Sequence, residues 1–298
     1  MVDQYIPNKG MTLYIDPLVS LGSIDLIQNK VDIRNLVSLL TINGGNPQNT
    51  IQGFSTANPN DHYVNVGTGT ENFFSAGYNQ TSNSFDSQTS STYNFRLQFT
   101  SGLFGSACEP AFTQANPFGT LMMWLYVSDT NVNESFLIGS GNNCAFSIET
   151  NAANTQWRLK GAGGLETTSD NLGPQWSNSI YDQRSTRYSD YYPCNQWHCI
   201  VYTIYPIARS RSNEIRTYSA QLFVNDEIDS FVGAFEDAND ASPHDNGVDF
   251  QIVEMFGSTT NILPHFRGRV GQIAAWDKRP SDNEISSLYH KFKHRYGV

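Results

Sequence analysis

The sequence predicts an all-β protein, an antiparallel β-sandwich of jelly-roll type closed by one short C-terminal helix. Three features carry that expectation. Short apolar runs, several alternating with period two, recur along the 298 residues. Clusters of Asn, Gly, Ser and Pro separate them, as turns between short strands require. The apolar period changes clearly to that of a helix only after Pro280, where Ile285, Leu288, Tyr289 and Phe292 fall on one helical face.

The strands read in order as "TLYID" from Thr12, "HYVNVG" from His62, "YNFRLQF" from Tyr93, "TLMMWLYV" from Thr120 and "SFLIGS" from Ser135. "CAFSIET", "TQWRLKG", "QWHCIVYTIY", "SAQLFVND", "DFQIVEMFG" and "GRVGQIAAW" follow. Tyr93, Phe95, Leu97 and Phe99 alternate with polar residues, the mark of a half-buried strand. "LMMWLYV" is apolar at every position, so it belongs in the middle of a sheet covered on both sides. Within "GRVGQIAAW", Val270, Gln272, Ala274 and Trp276 take alternate positions. Ser281 and Glu284 form a capping box, which starts a helix over 281–294. The expected core includes Trp124, Leu125, Phe136, Trp197, Ile200, Leu222, Val224, Ile273 and Trp276. Residues 1–11 read as a lead and 12–298 as one domain, with long loop insertions at 68–91 and 166–195.

Composition narrows the function classes. The net charge is -10 and only 15% of residues are charged. A field of that sign repels phosphate backbones, so no nucleic acid partner is expected. No run approaches the apolar length needed to span a membrane, and the N-terminal residues do not read as an export leader. The basic cluster Lys291, Lys293 and Arg295, with His290 and His294, reads as a solvated helix end placed for the dipole, against an anion site. Cys108, Cys144, Cys194 and Cys199 lack zinc spacing. Cys199 reads as a buried thiol, and a Cys194–Cys199 pair stays open.

Five segments in order carry a family resemblance: "FGTLMMWLYVSD", "FLIGSGNNCAFSIE", "QWHCIVYTI", "LFVNDEID" and "FRGRVGQIAAWDKRPSDNEISSLYHKF". The chain resembles the laminin-G-like members of the concanavalin A-like lectin/glucanase superfamily. Trp124 matches the buried Trp of a core strand, and Trp197 and His198 match a Trp-His strand opening. Phe266, Gly268, Val270, Trp276 and Ser281 to Ile285 match the family's ending, while Asp226 stands where the turn usually has Gly. The resemblance implies a sandwich whose terminal helix lies at its edge as a structural plug. It also implies two settings. One is a virion protein made in the host cytoplasm, a capsid-decoration or tail-associated subunit that binds other virion proteins or its own copies. Host glycans are a further candidate partner there. The other is a free carbohydrate-binding lectin.

Chemistry is sparse. The superfamily's hydrolases use closely spaced carboxylates on one strand, and this chain has no such triplet. "FEDANDASPHD", with Glu236, Asp237, Asp240 and Asp245, reads as a loop, and Asp249 and Glu254 fall on opposite faces of a strand. No catalytic residue is expected, and a glycoside hydrolase fits least well. No cofactor is expected either, although "DTNVNE" makes Asp129, Asn131, Asn133 and Glu134 candidates for Ca²⁺, against a plain hairpin reading. The loop 166–195 is long, aromatic and polar. Trp176, Tyr181, Asp182, Arg187, Tyr188 and Asp190 are its candidate binding residues. Aromatic planes beside polar groups suit a sugar ring, and they suit a protein contact equally. A purely structural role, pinning the loop to the sandwich, stays open.

Overall fold

A computed structural model describes residues 10–16, 21–25, 30–34, 50–54, 74–76, 78–79, 84–85, 96–100, 119–129, 131, 133–140, 143–161, 187–209, 215–238, 252–257, 263–264, 266–276 and 279–298. The strands are β1 (Met11–Ile15), β2 (Leu21–Asp25), β3 (Lys30–Arg34), β4 (Thr50–Phe54), β5 (Phe74–Ala76), β6 (Tyr78–Asn79), β7 (Ser84–Phe85), β8 (Arg96–Thr100) and β9 (Gly119–Val127). They continue as β10 (Glu134–Ser140), β11 (Asn143–Thr150), β12 (Gln156–Gly161), β13 (Arg187–Tyr188), β14 (Tyr192–Pro193), β15 (Trp197–Arg209), β16 (Ile215–Val224), β17 (Glu227–Ala238), β18 (Ile252–Met255) and β19 (Gly268–Trp276). Among the described residues one helix, α1 (Asp282–Tyr296), follows.

The architecture is the expected all-β sandwich. A 7-stranded sheet runs β1-β19-β9-β15-β16-β17, with β5 also paired to β19. A 10-stranded sheet runs β13-β12-β11-β10-β18-β8-β4-β3-β2, with β14 also on β12. All pairings are antiparallel.

Strand β9 shows how the sequence builds this. Its Leu121, Met123, Leu125 and Val127 join the core between the sheets, opposite Phe146, Ile148, Trp157 and Leu159 of the other sheet. Its Met122 and Trp124 point the other way into a second apolar cluster. That cluster is closed by Ile285, Leu288, Phe292 and Tyr296 of α1. Hence β9 is apolar on both faces because both faces are covered. Burying each large side chain of the helix contributes about 1.5–3 kcal/mol.

The helix therefore lies over the outer face of the seven-stranded sheet, not at the sandwich's edge as the resemblance implies. The apolar residues of its target, Met122, Trp124, Val201, Phe223, Ala274 and Trp276, sit on the inner strands β9, β15, β16 and β19. Ser281 and Glu284 make the capping box, and Gly297 closes the other end at φ 74. The helix runs to Tyr296, two residues beyond the expected end, because Tyr296 is itself an anchor. Its ring stacks on Trp124 with centroids 4.4 Å apart, and its hydroxyl accepts from the Gln272 N–H at 2.9 Å. Gly271 permits this approach, since a Cβ there would sit on the Tyr296 ring and hydroxyl. Next to it, Arg295 donates to both carboxylate oxygens of Asp16 at 2.8 and 2.9 Å, tying the end of the chain to β1. So Arg295 is a tether rather than a solvated cation. At the β16–β17 turn, Asn225 and Asp226 both have positive φ, 52 and 75, which explains why a Gly is dispensable there for a residue that tolerates the left-handed region. The Asp226 carboxylate then accepts from Ser286 Oγ at 2.9 Å and lies 3.0 Å from His290 Nε2, docking the turn onto the helix.

Other details depart from the sequence reading. The pairing of β19 shifts between Val270 and Ile273, so Val270 faces the inter-sheet core while Ala274 and Trp276 face the helix. Trp197 is half-buried, packed against Tyr296 and Tyr126, whereas the other expected core residues that are described are buried. The side chain of Phe136 and the segment at His62 lie outside the described residues. Strands β2, β3 and β4 had no counterpart in the reading, and β5, β6 and β7 fall inside the 68–91 segment taken as loop. Glu236 and Asp237 belong to β17, paired with Thr217 and Arg216 of β16, rather than to a loop. Cys194 and Cys199 are separate thiols. Burial raises both thiol pKa values, that of Cys194 to about 11 with a further push from Asp129.

Candidate functional site

The outer face of the ten-stranded sheet has the opposite character. In β12, Trp157 and Leu159 point into the core, so Arg158 and Lys160 point out. In β11, Ile148 is inward and Glu149 outward; in β10, Glu134 stands opposite Glu149. Two carboxylates directly across a strand pair repel each other. The cations of β12 remove the conflict: Lys160 Nζ donates to Glu134 Oε2 at 2.6 Å and Arg158 Nη2 to Glu149 Oε1 at 3.0 Å. Ser147 Oγ also donates to Glu134 at 2.6 Å. Burial works against the Lys160 charge, but the Glu134 bond and the charges of Glu134, Tyr188 and Glu149 outweigh it and raise its pKa.

Tyrosines complete the patch. Strand β13 pairs Tyr188 with Lys160, and β14 pairs Tyr192 with Trp157. Between them the chain bulges at Ser189. The Ser189 N–H donates to the Leu159 carbonyl at 2.9 Å, and its hydroxyl accepts from the Leu159 N–H at 2.8 Å, standing in for a carbonyl. That bulge brings Tyr188 and Tyr191 to the same guanidinium. Arg158 Cζ lies 3.7 Å from the Tyr188 ring centroid and 4.8 Å from that of Tyr191. Both rings remain open to solvent, at 38% and 41% exposure.

The underside is braced. The buried carboxylate of Asp229, on β17, accepts from the Tyr192 hydroxyl and from the Asp190 N–H at 3.1 and 3.3 Å. The Tyr192 ring packs edge-on to His198, which also meets Trp157 edge-on. Burial holds the His198 pKa down at about 4, against a smaller upward pull from the Gln196 backbone. His198 is thus a core residue beneath the patch.

Of the expected binding residues, Tyr188 and Asp190 belong to this patch. Arg187 pairs with Gly161 through its backbone, and its side chain lies outside the described residues, as do Trp176, Tyr181 and Asp182. Arg158, Tyr191, Glu149 and Lys160 were not singled out as site residues. The alternation in "TQWRLKG" places Arg158 and Lys160 on a polar face, but only pairing to β13 shows what stands beside them.

Of the candidate Ca²⁺ residues, Asn131 and Glu134 have side chains engaged within the protein, and Asp129 and Asn133 are held through their backbone. The Asn131 amide donates to the carbonyls of Ser128, at 2.9 Å, and Arg267, while its oxygen accepts from the Arg267 N–H at 2.8 Å and Ser135 Oγ at 3.2 Å. Asp129 is joined through its N–H to Asn195 Oδ1 at 3.2 Å, Asn133 accepts through its carbonyl from the Thr150 N–H at 2.8 Å, and Glu134 belongs to the charged patch. Among the described residues, no three of His, Cys, Asp or Glu converge as a metal site.

No protein-family model and no curated protein sequence matches the chain. Solved structures share its fold. A receptor binding domain matches with a TM-score of 0.51 at 10% identity, over 97% of this chain and 53% of that one. Trypanosoma rangeli sialidase, in complex with 2-keto-3-deoxy-D-glycero-D-galacto-2,3-difluoro-nononic acid, matches with a TM-score of 0.52 at 9% identity, over 98% of this chain and 34% of that one. The chain thus spans about half the length of the first and a third of the second. At such identities the likeness is one of fold.

Proposed function

We propose that this chain is a non-catalytic, lectin-like recognition protein whose working face is the Tyr188–Arg158–Tyr191 patch. Its setting in this reading is a virus particle, as a capsid-decoration or tail-associated subunit that meets neighbouring virion proteins or a second copy of itself. Glycans on the host surface are the external partner. The observation that carries the reading is the stack itself: two tyrosines placed on one guanidinium yet left open to solvent. Aromatic anchors of this kind contribute contact area with little ordering of side chains on binding. The charged pairs around it also speak against acid–base work, because Glu134 and Glu149 are each committed to a cation. The fold shared with a receptor binding domain agrees with this role. The virion setting rests on the resemblance to phage decoration and tail proteins. A free lectin is the second reading, since the same patch would serve it equally.

The test is the double variant Tyr188→Ala and Tyr191→Ala. Incorporation into particles, or retention on a glycan array, is expected to fall at least tenfold, or about 1.4 kcal/mol. Unchanged incorporation and unchanged retention would make the stack a structural brace only. Presence or absence of the protein in purified virions tests the setting.

A further inference from the structure

The same patch carries information about the class of its ligand. Among the described side chains its cations are committed, Arg158 to Glu149 at 3.0 Å and Lys160 to Glu134 at 2.6 Å. Those pairs sum to zero. The chain as a whole carries -10. A carboxylate, sulfate or phosphate arriving here would have to displace a protein carboxylate from its cation. A neutral ligand meets no such penalty. What the patch offers instead is the exposed planes of Tyr188 and Tyr191 on Arg158, with the Glu149 carboxylate on the same guanidinium. A sugar ring presents the complement, an apolar C–H face bordered by hydroxyl donors.

We infer that the Tyr188–Arg158–Tyr191 patch takes a neutral hexopyranose and discriminates against sialylated or otherwise acidic glycans. This rests on the recognition reading of the same patch. Tyr188 and Tyr191 are the stacking planes. Arg158 is a positioning residue that holds both rings, and Glu149 keeps its charge occupied.

The test pairs each neutral sugar with an acidic counterpart. The intact protein is titrated with lactose against 3′-sialyllactose, and with cellobiose against cellobiouronic acid, by calorimetry and saturation-transfer NMR. At least one neutral sugar is expected to bind, with its acidic counterpart roughly tenfold weaker. Binding of the neutral sugar should change less than about twofold between about 20 and 200 mM salt. Tyr188→Ala should weaken it roughly tenfold. Glu149→Gln releases the Arg158 charge, so it should narrow or reverse the preference while leaving the melting temperature nearly unchanged. Tighter binding of the acidic member to the native protein would overturn the inference and leave the recognition reading standing. So would failure of every sugar to bind while the Tyr188→Ala, Tyr191→Ala double variant still loses its particle or cell-surface partner. If that double variant loses neither, the recognition reading itself falls.

Discussion

The two outer faces of this sandwich are built in opposite ways. Over the seven-stranded sheet, Met122, Trp124, Val201, Phe223, Ala274 and Trp276 form an apolar floor, and α1 seals it. Over the ten-stranded sheet, Glu134, Glu149, Arg158 and Lys160 form a neutralised charge lattice, and two tyrosines stand on it exposed. An apolar sheet face must be covered for the chain to remain soluble and folded. A polar face needs no cover, so it is the one that is available for recognition. In the proposed reading the contrast separates the residues that hold the protein together from those that would meet a partner, and substitutions on the two faces should therefore fail differently.

The largest effect belongs to the sealed face. Leu288 is buried against the floor, and Leu288→Asp would leave an unpaired charge there. The cost should be about 4 kcal/mol or more, read from denaturant unfolding. A melting curve like that of the native protein would mean that α1 is not part of the cooperative unit. Arg295→Ala comes next. It takes the guanidinium away from the Asp16 carboxylate, which is 11% exposed and also accepts from Gln272 and Tyr14. A loss of about 2–3 kcal/mol is expected, and the double variant with Asp16→Asn should lose less than the sum of the two single changes.

The third effect sharpens the boundary between the faces, because His198 lies beneath the open one. Its folded pKa is about 4 against an ordinary 6.5. Above pH 6.5 the folded and unfolded chains both hold it neutral, and stability does not depend on it. As pH falls from about 6.5 to 4, the unfolded chain gains a proton that the folded chain refuses. Stability is then lost by up to about 1.4 kcal/mol per pH unit, levelling off below 4. Replacing the ring by Phe should flatten that part of the pH–stability profile, and an identical slope in His198→Phe would assign the acid sensitivity elsewhere. The smallest effect is on the open face. Lys160→Gln breaks an ion pair that is about a quarter exposed on each side, so the change should stay within about 1 kcal/mol.

Much of the sealed face was legible in the sequence. The uninterrupted apolar run "LMMWLYV" signals cover on both sides, and Ser281 with Glu284 fixes the helix start. Where the helix would lie was not legible, because a stripe of Ile285, Leu288 and Phe292 fits an edge as well as a face. Strand β17 was missed for a related reason. "EIDSFVGAFEDA" carries four acids, a Gly and two Ala, and only a long register against β16 makes it a strand. The open face was legible one strand at a time. Alternation in "TQWRLKG" puts Arg158 and Lys160 outside, and the aromatic loop offers Tyr188. That Ser189 bulges the chain so that Tyr188 and Tyr191 share Arg158 depends on edge pairing, which single-sequence periodicity does not contain.

The division of labour between the faces is tested most directly by measuring melting temperature and partner binding together for two variants, Trp124→Ala and the double substitution Tyr188→Ala, Tyr191→Ala. Trp124 is fully buried and stacks on Tyr289 and Tyr296, so its loss should cost about 3–5 kcal/mol. Partner binding per folded molecule should be retained. The double tyrosine variant should melt close to the native protein and bind at least tenfold more weakly. A double variant that melts as low as Trp124→Ala while binding normally would show that the open face is scaffold too, and would contradict the assignment of recognition to it.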